Sequence, residues 1–365
     1  MTYFLFGSLR HLPLLAAVLG REVFGPLTPA ELEGARPVYA GPSGPATLAP
    51  DAATRTEGVL LDGVTETEAD RLHYFAAVHG CRPETRQVAG ASVTVFMADV
   101  PGDARPFLFA GWQAAWAPLW VLAAEEVMAQ YGRWPGEGFG AHRLKAVHTR
   151  AAALLRAPDR PRPSRFDLDR DIAVKARHLP YLNFFSLAEI DLRYRQFDGS
   201  MGPEMNRAAL RVGDAAIVLP YDPVRDCVLL IQQFRAAPYV AGDTDPWIWE
   251  APAGLVDPGE TPQQAAFREA QEEAHIRLSR LEPVTQAYSS TGSSTEFAHI
   301  FVGIADLAGA GVVAGVEAEG EDICSEVISF DQFQADLQTG RFVNLQLVTA
   351  GLWLALNRER LRGTG

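Results

Sequence analysis

The sequence predicts a two-domain, mixed α/β protein, and three observations carry that prediction. Its 365 residues exceed one typical domain. A segment with three prolines and no apolar periodicity, Ala157 to Arg165, interrupts the chain. Beyond it, strand-like runs come first, one helix is inserted, and further strands and helices follow. That order favours a mixed sheet layered with helices over a parallel α/β sheet. The expected domains are residues 1–156 and 169–365, joined by a Pro-rich linker at 157–168.

Composition narrows the function classes. Apolar residues make up 48% of the chain, an ordinary globular share, and the net charge is −13. A nucleic-acid surface wants a basic footprint, so nucleic acid is not an expected partner. Cys81, Cys227 and Cys324 are odd in number and scattered, which fits a reducing, cytoplasmic setting and neither a disulfide framework nor a zinc site. The apolar start lacks a basic n-region and is interrupted by Arg10-His11, so a strand, turn and helix are expected there rather than a leader. No apolar stretch is long enough to span a bilayer, and no membrane partner is expected.

In the first domain, Thr2 to Phe6 reads as a buried strand, Gly7-Ser8 as a turn, and Pro13 to Leu19 as a helix with proline near its start. Gly58 to Leu61 and Ser92 to Phe96 are further strands. Between them, Thr65-x-x-Glu68 opens a helix through Phe75. Trp112, Trp116 and Trp120 recur at helical spacing and read as packing core, and a second helix runs near Arg143 to Arg156.

In the second domain, Tyr181 to Leu187 and Ile190 to Phe197 read as paired strands. Ala215 to Pro220 and Cys227 to Ile231 form a hairpin through Asp222-Pro223 and Arg225-Asp226. Trp247 to Pro252 leads into Gly254–Ile276. Val284 to Tyr288, Phe297 to Gly303 and Glu326 to Phe330 are later strands, with a polar loop from Ser289 to Glu296, and two helices close the chain, one from Leu345 to Leu361.

The Gly254–Ile276 stretch organises the whole. Thr261, Pro262 and Gln264 signal a helix start with a capping box. Phe267, Ala270 and Ala274 are expected on one face, and Glu269, Glu272 and Glu273 on the other. Three carboxylates so close repel unless a cation sits among them. Arg268 supplies one positive charge, but its position on the helix points it elsewhere, and a hard cation such as Mg²⁺ suits the carboxylate oxygens. A lone acidic run would ordinarily be a solvated surface. The residues around it reverse that reading.

Gly254, Glu260, Arg268-Glu269 and Glu272-Glu273 reproduce the spacing of the Nudix box, and the stretch resembles that of the Nudix hydrolases. Ala270 is smaller than the usual aliphatic, and His275 stands where that family carries a helix-ending glycine, so a left-handed cap there costs about 1 kcal/mol. Phe184-Phe185, Gln233-Phe234-Arg235, Ala251 to Gly254, the loop ending in Glu296, and Glu319 to Asp322 resemble the ADP-ribose pyrophosphatase subfamily over about residues 170–360. Thr291 and Ala208 depart from it, where Pro and Glu are usual.

The resemblance implies an α/β/α sandwich with a mixed sheet and Mg²⁺-dependent cleavage of ADP-ribose to AMP and ribose 5-phosphate, with Mn²⁺ a possible substitute. It implies Ala253 (backbone carbonyl), Glu269, Glu273 and Glu321 as metal ligands. Glu319 is the candidate base, Glu272 a ligand or tuning group, and Arg268 an orienting group, with Glu260 in a similar structural role. Phe184, Arg207, Arg235 and Glu296 would meet substrate, Phe184 from the same chain or from the second subunit of a homodimer. Another nucleoside diphosphate sugar, such as GDP-mannose, is the alternative substrate. A nucleotide-binding regulatory protein is the alternative from another class.

The first hundred residues resemble the γ-glutamylcyclotransferase-like (AIG2-like) family, a small mixed barrel, through Phe6-Gly7-Ser8-Leu9 and Leu72-His73-Tyr74-Phe75. Ala76 stands at that family's catalytic Glu, and alanine transfers no proton. The resemblance therefore implies the fold without the activity, unless another acid such as Glu84 substitutes.

Overall fold

The structure, a computed structural model, describes residues 1–23, 27–41, 45–102, 104–160, 165–311, 313–314 and 322–363. It divides into two compact units, Met1–Ala208 and Ala209–Gly365.

The first unit opens with β1 (Tyr3–Leu5) and α1 (Leu12–Leu19). Between them the chain turns at Gly7, where φ is +59° and an added Cβ would lie 2.3 Å from the Cβ of Ala46. Only glycine fits that turn. A long hairpin follows, β2 (Thr28–Tyr39) and β3 (Ala46–Leu61), then α2 (Glu66–Val78), β4 (Arg82–Val88) and β5 (Ala91–Met97). Thr65 and Glu68 cap α2 reciprocally, as expected. The strand order is β2-β3-β1-β5-β4, antiparallel except for β1 with β5, and the end strands β2 and β4 approach each other.

The sequence reading missed β2 and most of β3, whose Pro29, Pro37 and Pro50 and short alanines weaken every strand signal. The tryptophan stripe is not one helix. α3 (Phe109–Ala115) stops at Trp116, and α4 (Ala117–Met128) restarts with Pro118 in its first turn. A proline is tolerated there and not further in. Trp112 and Trp120 are nevertheless fully buried, with Tyr3, Phe4, Leu14 and Leu72 in the same core. α5 (Ala141–Arg156) packs on α4.

A small cavity of about 30 Å³ lies among Phe4, Phe6, Ser8, Phe75, Ala76 and His79. None of the residues lining it is acidic. Glu84, on β4, pairs instead with Arg86 at 2.7 Å. Burial pushes the Cys81 thiol, also at this cavity, up to about 12.

Residues 161–164 of the expected linker lie outside the described residues. Then come α6 (Leu168–Asp171), β6 (Ile172–Leu182), β7 (Ser186–Tyr194) and β8 (Met205–Arg211), a three-stranded sheet in that order. Phe184-Phe185 form the turn of the β6–β7 hairpin, closed by Asn183 N–H donating to Phe185 O at 2.7 Å, and do not continue a strand as expected. The division at Ala208 places this hairpin with the first unit, where the sequence reading began the second domain at 169. The hairpin is tied to the preceding helices: Arg133 donates to Leu179 O at 3.0 Å and Arg150 to Phe184 O at 2.5 Å.

The second unit is a three-layer sandwich. β9 (Asp214–Asp222) and β10 (Cys227–Phe234) form a hairpin, then diverge. After α7 (Ala236–Val240), the chain runs back as β11 (Trp247–Glu250) against β10 and β12 (Ala253–Leu255) against β9. These two short strands fill the gap between the diverging pair. α8 (Pro262–Ala274) follows, then β13 (Leu278–Tyr288), β14 (Phe297–Ala305), β15 (Val313–Ala314), β16 (Ile323–Ser329), α9 (Phe330–Thr339) and α10 (Leu345–Arg362).

The main order is β13-β14-β9-β10-β16-β15, and β9 with β14 is the parallel pair. The sheet is mixed, as expected. Ala216, Val218, Leu229 and Phe301 face α8, whereas Leu219, Leu230 and Val302 face Phe330, Phe333, Leu347 and Leu354 of α9 and α10. No helix among the described residues is long and apolar enough to cross a membrane.

Candidate active site

α8 begins as its sequence dictates. Thr261 Oγ1 accepts from Gln264 N–H, and Gln264 Oε1 accepts from Thr261 N–H at 2.8 Å, with Pro262 in the first turn. It ends at His275, whose φ of 53° and ψ of 30° are left-handed. The histidine adopts the conformation expected of glycine, its N–H bonded back to Ala270 O and Gln271 O. The helix end is therefore unchanged.

The facing of α8 corrects the expectation. Its buried arc is Ala265, Ala266, Ala270 and Ala274, and Phe267 is 41% exposed. Glu269 and Glu273 lie on this arc, 8% and 2% exposed, and only Glu272 points outward. The alanines explain the arrangement. Small side chains let the helix settle close to Ala216 and Val218, which brings the two carboxylates down to the edge of β12.

There, Glu273 accepts from Ala253 N–H at 2.8 Å. Glu269 occupies the space beside Gly254: an added Cβ would lie 1.9 Å from its Oε1 and 2.3 Å from its Cδ. Gly254 is thus the position where backbone and carboxylate touch.

Arg268 is the second correction. It was expected to point elsewhere and instead bridges the acids. Nη1 donates to Glu269 at 2.5 Å and Glu272 at 3.0 Å, Nε and Nη2 to the two oxygens of Glu260 at 3.0 Å each, and Nη2 also to Leu255 O at 3.1 Å. A long side chain one residue from Glu269 reaches back across the helix end of the loop, which the helical wheel alone does not reveal. Burial works against its charge. The hydrogen bonds it donates to Glu260 and the charge of Glu269 outweigh it and hold the guanidinium firmly protonated. Glu260 also accepts from Asp257 N–H at 3.2 Å, closing the loop into the helix.

The donor set fits a hard divalent cation. Glu269 and Glu273 are near-buried carboxylates beside a bare glycine. Glu319 and Glu321 lie outside the described residues. Among the described residues no three His, Cys, Asp or Glu side chains are already grouped as a metal cage.

The substrate candidates are distributed. Arg235, just past β10, donates from Nε and Nη2 to Glu250 Oε2 at 2.9 and 2.6 Å. Glu250, 6% exposed, also accepts from Asn344 at 3.0 Å. Sequence reasoning missed Glu250. A lone acid inside the apolar run Trp247–Ala251 was the available signal. Glu296 accepts from Ser289 Oγ and, at 3.4 Å, from Gln346. Arg207 and Phe184 lie in the first unit. Arg207 donates to Asn206 O at 2.8 Å, and the Phe184 ring stacks on His142 at 5.5 Å.

The NUDIX domain family matches residues 211–347. The ADP-ribose pyrophosphatase of Escherichia coli (strain K12) is 38% identical over 192 residues, 53% of this chain and 91% of that one. The ADP-ribose pyrophosphatase of Haemophilus influenzae is 33% identical over 195 residues, again 53% of this chain and 90% of that one. The GDP-mannose pyrophosphatase of Cronobacter sakazakii is 37% identical over 138 residues, 38% of this chain and 71% of that one. With a capped acidic helix, a bare glycine at its carboxylates and relatives matched over nine-tenths of their length, the chain belongs to the Nudix family of hydrolases.

Proposed function

We propose that the protein hydrolyses the pyrophosphate bond of ADP-ribose to AMP and ribose 5-phosphate with Mg²⁺, Mn²⁺ serving as a substitute. The carrying observation is the pair Glu269 and Glu273, held near-buried against Ala253 and Gly254 with Arg268 between the neighbouring acids. These two carboxylates, the Ala253 carbonyl and Glu321 would hold the metal. When bound, it neutralises charge on the bridging phosphates and lowers the pKa of water. Arg268 keeps Glu269 and Glu272 oriented, and Glu260 anchors Arg268. Glu319 accepts the proton of the attacking water. Arg207, Arg235 and Glu296 contact substrate, and Phe184 stacks on the base.

The same reading includes a homodimer in a reducing, cytoplasmic setting. Tyr181 on β6, Phe184 and Phe185 in the β6–β7 turn and Phe197 beyond β7 are exposed, apolar side chains suited to meeting a second copy. Cys81, Cys227 and Cys324 are all free. The first unit we read as a γ-glutamylcyclotransferase-like fold without that activity, on the strength of Ala76 in a cavity with no acidic lining. Release of 5-oxoproline from a γ-glutamyl dipeptide would refute this.

The second reading, a nucleoside diphosphate sugar such as GDP-mannose, is favoured by the Cronobacter relative. One experiment separates the possibilities: phosphate-coupled turnover of a panel of nucleoside diphosphate sugars, with and without Mg²⁺. ADP-ribose preferred, with EDTA abolishing the rate, is the expected result. Preference for GDP-mannose moves the substrate and keeps the site. Tight binding with no turnover of any member overturns the hydrolase reading in favour of a regulatory one.

A further inference from the structure

We propose that the helical extension α4–α5 of the first unit is a positioning element for base recognition, acting on the β6–β7 turn that carries Phe184. This rests on the reading of Phe184 as the base-stacking residue and goes beyond it, because it gives the extension a part in substrate affinity.

The turn is short, three residues between Leu182 and Ser186, and its two aromatic rings are 42% and 40% exposed. Exposed rings on a short turn sample several rotamers unless something holds the backbone and one ring face. The extension does both. Arg150, 2% exposed on α5, donates from Nη1 to Phe184 O at 2.5 Å. Its Nε donates to Glu126 Oε1 on α4 at 2.8 Å, and both side chains of this pair are 3% exposed. A buried guanidinium paired with a buried carboxylate has little freedom, and so the carbonyl it grips has little as well.

Upstream on the same strand, Arg133 and Gln130, just past α4, donate to Leu179 O at 3.0 and 3.3 Å. The ring is held separately. His142, in the first turn of α5, lies on one face of Phe184 at 5.5 Å and 20°. Phe185 meets it in a T-shaped contact at 4.8 Å and 75°. The ring is thus held by two ring contacts, and its exposed remainder is a fixed platform for a flat base. A pre-oriented ring loses less entropy on stacking, and the gain appears in affinity rather than in the chemical step. His142, Arg150 and Glu126 are positioning residues.

The test is steady-state kinetics of ADP-ribose hydrolysis by the full chain and its variants. Phe184→Ala should raise KM about tenfold, a stacking contribution near the lower end of the usual range. His142→Ala should raise KM by roughly threefold to fivefold with kcat within about twofold. His142→Phe, which keeps a ring, should restore KM. Glu126→Leu combined with Arg150→Met removes both buried charges together and should raise KM in the same way. If the double variant does not fold, the His142 pair decides.

A Phe184→Ala effect combined with wild-type KM in His142→Ala overturns the positioning role and leaves the Phe184 reading standing. Wild-type KM in an active Phe184→Ala overturns both. Equal rises of KM in His142→Ala and His142→Phe overturn the stacking argument.

Discussion

Replacing Gly254 with alanine adds one methyl group at the tightest point of the site. The added Cβ would lie 1.9 Å from Glu269 Oε1, 2.3 Å from Cδ and 2.8 Å from Oε2. Carbon and oxygen in contact need about 3.5 Å, so the carboxylate must retreat by roughly 1.5 Å or β12 must lift from β9. The backbone has little room to move, since Gly254 pairs with Ala216 and the flanking Ala253 and Leu255 pair with Ile217 and Ala215. The carboxylate is the part that yields, and it takes its bond to Arg268 with it. A misplacement of about 1 Å at a reacting centre costs on the order of a hundredfold, so kcat should fall by about that factor. Overpacking of this size costs about 1–3 kcal/mol of stability, which leaves the unit folded. The assay pairs phosphate-coupled turnover across a Mg²⁺ titration with a thermal melt. Glu269→Asp, one methylene shorter, should couple to the change, the double variant losing less than the product of the two single losses. Wild-type kcat in Gly254→Ala at saturating Mg²⁺, or strict additivity with Glu269→Asp, would refute the claim that this contact sets the carboxylate.

Other consequences follow from the same structure. His275→Gly removes a Cβ from a left-handed helix end and should stabilise by about 1 kcal/mol in urea denaturation, with turnover unchanged. Asp226 is held down to about 2, chiefly by the hydrogen bond from Arg358 and helped by Tyr221 and Arg362. Its folded value lies below the unfolded one, so its stabilisation is present above about pH 4 and lost as pH falls toward 2, and Asp226→Asn should cost about 2 kcal/mol at neutral pH and little at pH 2. Burial holds His79 near 4 and His148 near 3, both below the unfolded imidazole. Their contribution is complete above about pH 6.5 and lost on acidification, so the first unit should lose stability between about pH 6 and 4, and His148→Leu should flatten that slope in a pH series of melts. Glu273→Gln keeps an acceptor for Ala253 N–H but removes an anionic oxygen, and should lose most of kcat while melting close to wild type. Full turnover would remove Glu273 from the site.

How much of this was legible in the sequence depends on how local the signal was. The caps were local: Thr261 with Gln264 and Thr65 with Glu68 announce helix starts within four residues, and both form as read. The strands of the second unit were legible because apolar runs there are bounded by turn chemistry such as Asp222 to Asp226. The β2–β3 hairpin was not, because its stability comes from pairing across the turn rather than from its own proline- and alanine-bearing residues.

The site shows the same division. Spacing brought Glu269, Glu272 and Glu273 together on α8, but which of them face the sheet depends on the alanines that let the helix approach it, a matter of packing and not of period. The direction of Arg268 was not legible in the helix period, because a helical wheel places Cβ atoms and says nothing of where a long guanidinium ends. One of its partners, Glu260, lies before the helix, and the pair closes the loop that carries Gly254 toward the acids. The glycine then explains the spacing itself. A carboxylate can sit against the backbone of β12 only where that backbone has no side chain, so Gly254 and Glu269 form one feature written fifteen residues apart. A change at either should be felt as a change at the other, which is the coupling that the double variant measures.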